Sequence, residues 1–193
     1  MDLPQVVPLS LLSAAFVFAV IELGLTGYVV SLFTQGSTEY RYDPWSNEYS
    51  TQKVKIAVPS ILAFMLFNSV WTMLVTAAAA IIPWVFRTRA ATGTALDRLI
   101  AIGFLTLYSV TSVFWLASFA DIAASFAYAF FQSDYVNAII AFAVLLWLLF
   151  CALIVVVVLA MCGVLKSDIP GYRPLGKQDS PATAPQSTQM DQI

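Results

Sequence analysis

LLWLLFCALIVVVVLAM, residues 145–161, is an unbroken apolar run. Its reading decides the fold. Hydrocarbon offers a backbone no hydrogen-bond partners, so a chain crossing it must be helical or belong to a closed barrel. Barrel strands alternate polar and apolar residues over about ten positions, and this run does not alternate. It therefore reads as part of a membrane helix.

Three more segments have the same character. The apolar spans run approximately over residues 8–33, 56–86, 99–131 and 136–165. Each exceeds the ~20 residues needed to cross hydrocarbon, so the helices are expected to tilt or project. Only 10% of the 193 residues are charged, against about 25% in a soluble domain. The expected fold class is all-α: an integral membrane four-helix transmembrane bundle with antiparallel up-down topology. Residues 1–7 form a short N-terminal segment. Their stretch MDLPQVVP carries no Lys or Arg, so the first span is expected to stay uncleaved. Residues 166–193, rich in Pro, Ser, Thr and Gln, are expected to form a disordered tail because they bury too little to offset ordering entropy.

Orientation follows the basic residues. Arg87, Arg89, Arg98, Lys166, Arg173 and Lys177 fall on the side of the termini, and Arg41, Lys53 and Lys55 on the other. That imbalance places both termini in the cytosol. The first outer loop, residues 34–55, then carries Tyr40, Tyr42, Trp45 and Tyr49. It reads as an aromatic belt at the headgroups, or else as a contact surface for a partner membrane protein. The second outer connection, Gln132-Ser133-Asp134, is short enough to make spans three and four a hairpin.

Two carboxylates interrupt the spans. Glu22 and Asp121 fall well inside them, and Asn68 in span two falls at a similar depth. Together they suggest one intramembrane polar layer. Asp121 has Ser118 and Ser125 at i−3 and i+4, and Ala117 and Ala124 at i−4 and i+3, all on its side of a helix. With Ala120, these small residues are candidate helix contacts. Two readings stand beside each other. The acids bind a cation or relay protons, as intramembrane acids often do. Alternatively they are neutral and clasp a neighbouring helix by hydrogen bonds. No basic partner or His completes a relay, which favours the clasp, and Asp121 is expected to be such a clasp. Trp115 and Trp147 sit near mid-membrane and are expected to pack inside the bundle.

Other chemistry is thin. The chain has no His, the commonest general base and metal ligand. It has no Gly-rich phosphate loop or HExxH-like pattern, so it is expected not to be an enzyme and to need no cofactor or metal. Basic residues are too few and dispersed for nucleic acid. Both cysteines, Cys151 and Cys162, lie in span four. Neither reaches the oxidising side. Cys162, near the cytosolic end, is a candidate for palmitoylation, and Ser180, before Pro181, for phosphorylation.

Four spans with cytosolic ends, a moderate first loop, a very short second outer loop and a Ser/Pro-rich tail resemble MARVEL-domain tetraspan membrane proteins. The segment Val113-Phe114-Trp115-Leu116-Ala117-Ser118-Phe119-Ala120 looks like the Phe-Trp-centred segment of the fungal, non-classical export protein-like members. The resemblance covers about residues 8–165. It implies membrane lipids, sterol or sphingolipid among them, as partners, with homo-oligomers and other membrane proteins as further ones. It also implies a role in organising or sensing lipid domains or vesicle and plasma-membrane subdomains. Plasma membrane is the expected location, secretory vesicles next. Two alternatives accompany it: a small proton- or cation-coupled transporter or channel using Glu22 and Asp121, and a junction or adhesion protein acting through the aromatic first loop. Loop cysteines found in some junctional family members are missing here.

Overall fold

The computed structural model describes residues 6–35, 37–43, 48–54, 57–86, 94–126 and 134–164. The helices are α1 (Val6–Gln35), α2 (Ser60–Phe86), α3 (Thr94–Phe126) and α4 (Asp134–Met161). All four are long and apolar enough to cross a membrane, which makes the chain a multi-pass membrane protein. Ring contacts Phe18–Phe142 and Tyr28–Tyr135 join α1 to α4 in opposite chain order, as antiparallel neighbours do. Contacts between α2 and α3 run in the same reversed sense, Asn68 meeting Ser118 and Trp71 meeting Thr111.

Each helix buries a stripe spaced three and four residues apart. In α1 it is Pro8, Leu12, Ala15, Ala19, Glu22, Thr26 and Val29. In α4 it is Ile139, Ala143, Leu146, Phe150, Leu153, Val157 and Ala160. In α3 it is Ala101, Phe104, Tyr108, Thr111, Trp115, Ser118 and Ile122. A mean spacing of 3.5 keeps one seam facing its neighbours along the whole helix. Small residues in the α1 stripe let backbones approach, and the large rings of α3 and α4 fill the space opposite. Tyr108 lies between Phe104 and Phe150, with ring centroids 5.9 Å apart in both pairs.

Helix ends depart from the expected boundaries where local chemistry intervenes. The fourth span stops at Met161 rather than running to residue 165. Gly163 adopts φ 75°, a left-handed conformation open to a residue without Cβ. Its amide donates to the Ala160 carbonyl at 3.0 Å, and the Val164 amide donates to Leu159 at 3.1 Å. This is the paired closure of a Schellman cap. At the other end of the bundle α2 begins at Ser60, because Pro59 precedes it; the Pro59 carbonyl accepts from the Leu62 amide at 3.1 Å.

The α1–α2 connection contains an element that the sequence reading left as loop. Strands β1 (Ser37–Asp43) and β2 (Glu48–Val54) pair antiparallel, in register from Ser37↔Val54 to Asp43↔Glu48. The signal was Tyr at alternate positions 40 and 42 and, after Pro44, Tyr49 and Thr51 at alternate positions. The tail with Ser180, the basic residues 87 and 89, and the connection before Asp134 lie outside the described residues.

Candidate functional site

The interior of the bundle is polar at its middle. Glu22 and Thr26 from α1, Asn68, Ser69, Thr72 and Thr76 from α2, and Thr111, Ser112 and Ser118 from α3 are all buried. Several hydroxyls first satisfy their own helix. Ser69 donates to the Met65 carbonyl at 2.9 Å, Thr76 to Thr72 at 2.8 Å, Thr111 to Leu107 at 2.8 Å and Ser118 to Phe114 at 2.8 Å. With their protons spent one turn back, the oxygens of Thr111 and Ser118 accept from the neighbouring helix.

The α2–α3 seam uses them in that way. The Trp71 indole N–H donates to Thr111 Oγ1 at 3.1 Å, Trp115 Nε1 to Thr72 Oγ1 at 2.9 Å, and Asn68 Nδ2 to Ser118 Oγ at 3.3 Å. Such bonds within a membrane are each worth about 0.6–2 kcal/mol. Trp115 is fully buried, so its indole both fills the centre and pins its depth. Outside the seam, Phe64, Phe67, Trp71 and Phe114 group their rings at centroid distances of 5.9–6.4 Å. On the α4 side Ser112 Oγ lies 3.6 Å from Cys151 Sγ.

On the side of α1 the pattern is different. Asn68 Oδ1 is buried without a hydrogen-bond partner, and the Glu22 carboxyl has the Thr26 hydroxyl beside it, outside ideal hydrogen-bond geometry. Thr26 follows Glu22 by one turn on the same stripe.

Of the expected polar layer, Glu22 and Asn68 are inside and Asp121 is not. Asp121 is exposed, so it is no interhelical clasp within this bundle. The cause is helical phase: the buried series passes through Ser118 and Ile122, and a residue three after Ser118 is turned about 60° to its flank. Depth also changes. Measured from Phe126, the last described residue of α3, Asp121 is about five residues or ~8 Å in. Glu22 is about thirteen residues or ~20 Å from the C-terminal end of α1.

The small residues around Asp121 share its fate. Ala117, Ala120 and Ala124 are exposed and Ser118 alone is buried; the side chain of Ser125 lies outside the described residues. Trp115 packs inside as expected, while Trp147 is half-buried against Phe119 at 5.8 Å. Cys162 is exposed just past α4.

Ser69, Thr76, Thr111 and Ser112 escaped the sequence reading. Their signal was the three-and-four spacing of hydroxyls at 69, 72 and 76, and on α3 of Tyr108, Thr111 and Ser118 on the stripe that also carries Trp115. Comparison of the chain with models of known families, with characterised proteins and with solved structures returns no match.

Proposed function

We propose that this protein is a non-enzymatic multi-pass membrane protein that organises or senses lipid domains through its lipid-facing surface. One observation carries the reading. Every helix turns large apolar side chains outward, among them Val17 and Val20 of α1, Phe67 and Leu74 of α2, Val113 and Leu116 of α3, and Leu148 and Val155 of α4. Most hydroxyls of α2 and α3 are turned inward, where several join the two helices. Such a body offers lipid most of its recognisable surface.

This agrees with the role implied by the MARVEL resemblance, and with plasma membrane as location and cytosolic termini. Self-association through the exposed Ala117, Ala120 and Ala124 of α3 belongs to the same reading, since small residues permit close helix approach. Ala120→Leu or Ala124→Leu is expected to weaken it in a cross-linking assay. A relay from Glu22 to Asp121 has lost its second acid to the bundle surface.

The test is the lateral distribution of a C-terminally tagged copy in living cells, before and after sterol or sphingolipid depletion. Patches that disperse on depletion support the proposal. A uniform distribution, unchanged by depletion, refutes it.

A further inference from the structure

The β1–β2 register sorts the residues of the α1–α2 connection onto two faces. Successive positions of a strand alternate between faces, and directly paired positions share one. Thr38↔Lys53, Tyr40↔Thr51 and Tyr42↔Tyr49 therefore occupy one face of the ribbon. Ser37↔Val54, Glu39↔Gln52, Arg41↔Ser50 and Asp43↔Glu48 occupy the other. Every tyrosine of the two strands falls on the first face, where Lys53 is the one charged position. The second face carries Glu39, Arg41, Asp43 and Glu48. The ribbon is amphipathic by parity.

Such a ribbon needs a cover. A two-stranded hairpin is marginal by itself in water and gains stability when one face packs on something. Among the described residues each strand has the other as its main neighbour, and neither packs broadly on α1, α2, α3 or α4. The bundle is thus not the cover. The membrane surface lies close at both ends. α1 ends at Gln35 and β1 begins at Ser37, so one residue separates a membrane helix from the ribbon. β2 ends at Val54 and α2 begins at Ser60, a gap that extended chain spans in about 20 Å at most. Tyrosine favours the headgroup layer, because its ring is apolar and its hydroxyl polar. A lysine on the same face adds attraction to lipid phosphate.

We propose that the β1–β2 ribbon lies flat on the headgroup layer, with the face of Tyr40, Tyr42 and Tyr49 toward lipid and that of Glu39, Arg41 and Asp43 toward water. The partner is a lipid surface, recognised by three tyrosines and one cation. The connection is then an in-plane anchor beside the four spans. It is independent of the lipid-domain reading, since a docked ribbon is compatible with a uniform distribution in the cell.

The test uses the full chain, carrying Cys151→Ala and Cys162→Ala, in phosphatidylcholine vesicles. Thr38→Cys, Thr51→Cys, Ser50→Cys and Gln52→Cys each take one fluorophore. A nitroxide on the lipid headgroup is expected to quench positions 38 and 51 and to spare 50 and 52. Iodide on both sides of the membrane is expected to do the reverse. Tyr40→Ser together with Tyr42→Ser is expected to abolish the lipid quenching at 51. Each face has two reporters, so a variant that fails to insert leaves the other to decide. Quenching of all four positions by iodide alone overturns the proposal and returns the ribbon to water. Equal quenching of all four by the lipid nitroxide overturns it too. Protection of 38 and 51 from both quenchers assigns that face to a protein cover and likewise overturns it.

Discussion

The α2–α3 seam and the α1 side of the same core solve one problem in different ways. Along the seam, indole and amide donors meet hydroxyl acceptors on the neighbouring helix. Beside α1, the Glu22 carboxyl has only the Thr26 hydroxyl, outside ideal geometry, and Asn68 Oδ1 is buried without a partner. In lipid the seam adds stability with each bond, whereas each orphan costs its full desolvation. The seam is built to hold the bundle, whereas the polar groups of the α1 side cost it stability.

The largest effect is expected at the centre of the seam. Trp115→Ala removes a fully buried indole and strands Thr72 Oγ1. A loss of about 3–5 kcal/mol is expected, measurable by denaturation in mixed micelles. A loss below ~1 kcal/mol would deny the seam its role. The next prediction has the opposite sign. Glu22→Leu replaces a buried carboxyl by an apolar group of similar volume, and stability is expected to rise by about 1–3 kcal/mol. A fall would mean that Glu22 has a stabilising partner in the folded protein.

Asn68 belongs to both regions. Asn68→Leu loses the bond to Ser118 but also removes an orphaned oxygen, so a net loss within about 1 kcal/mol is expected. Gly163→Ala forces a Cβ into a left-handed position, and about 1 kcal/mol of local strain is expected. It should show as faster amide exchange in the last turn of α4. Asp121→Asn, at the surface, is expected to change stability by less than ~0.5 kcal/mol.

The four helices were legible because length and apolarity survive any error in phase. The inward faces were harder to read. Both sides of a membrane helix are apolar, so the contrast that marks a soluble core is missing, and only small and hydroxyl residues at three-and-four spacing distinguish inside from outside. Glu22 lies on such a series, between Ala19 and Thr26. Asp121 was assigned inward from the serines at 118 and 125, but Ser118 belongs to the stripe and Asp121 to its flank. Its depth was counted from Gln132, beyond the described end of α3 at Phe126, which made it look central. The hairpin was missed because its tyrosines suit an aromatic belt equally well.

The measurement that bears most directly on this account compares the two carboxylate positions. In a background where Cys151 and Cys162 are replaced by Ala, Glu22→Cys and Asp121→Cys would each carry a nitroxide spin label. Collision with oxygen and with a polar nickel chelate would then be recorded in reconstituted vesicles. The account predicts that neither relaxant reaches position 22, and that at least one reaches position 121 freely. Free access at 22 together with protection at 121 would contradict it, and would return the buried acid of this bundle to α3.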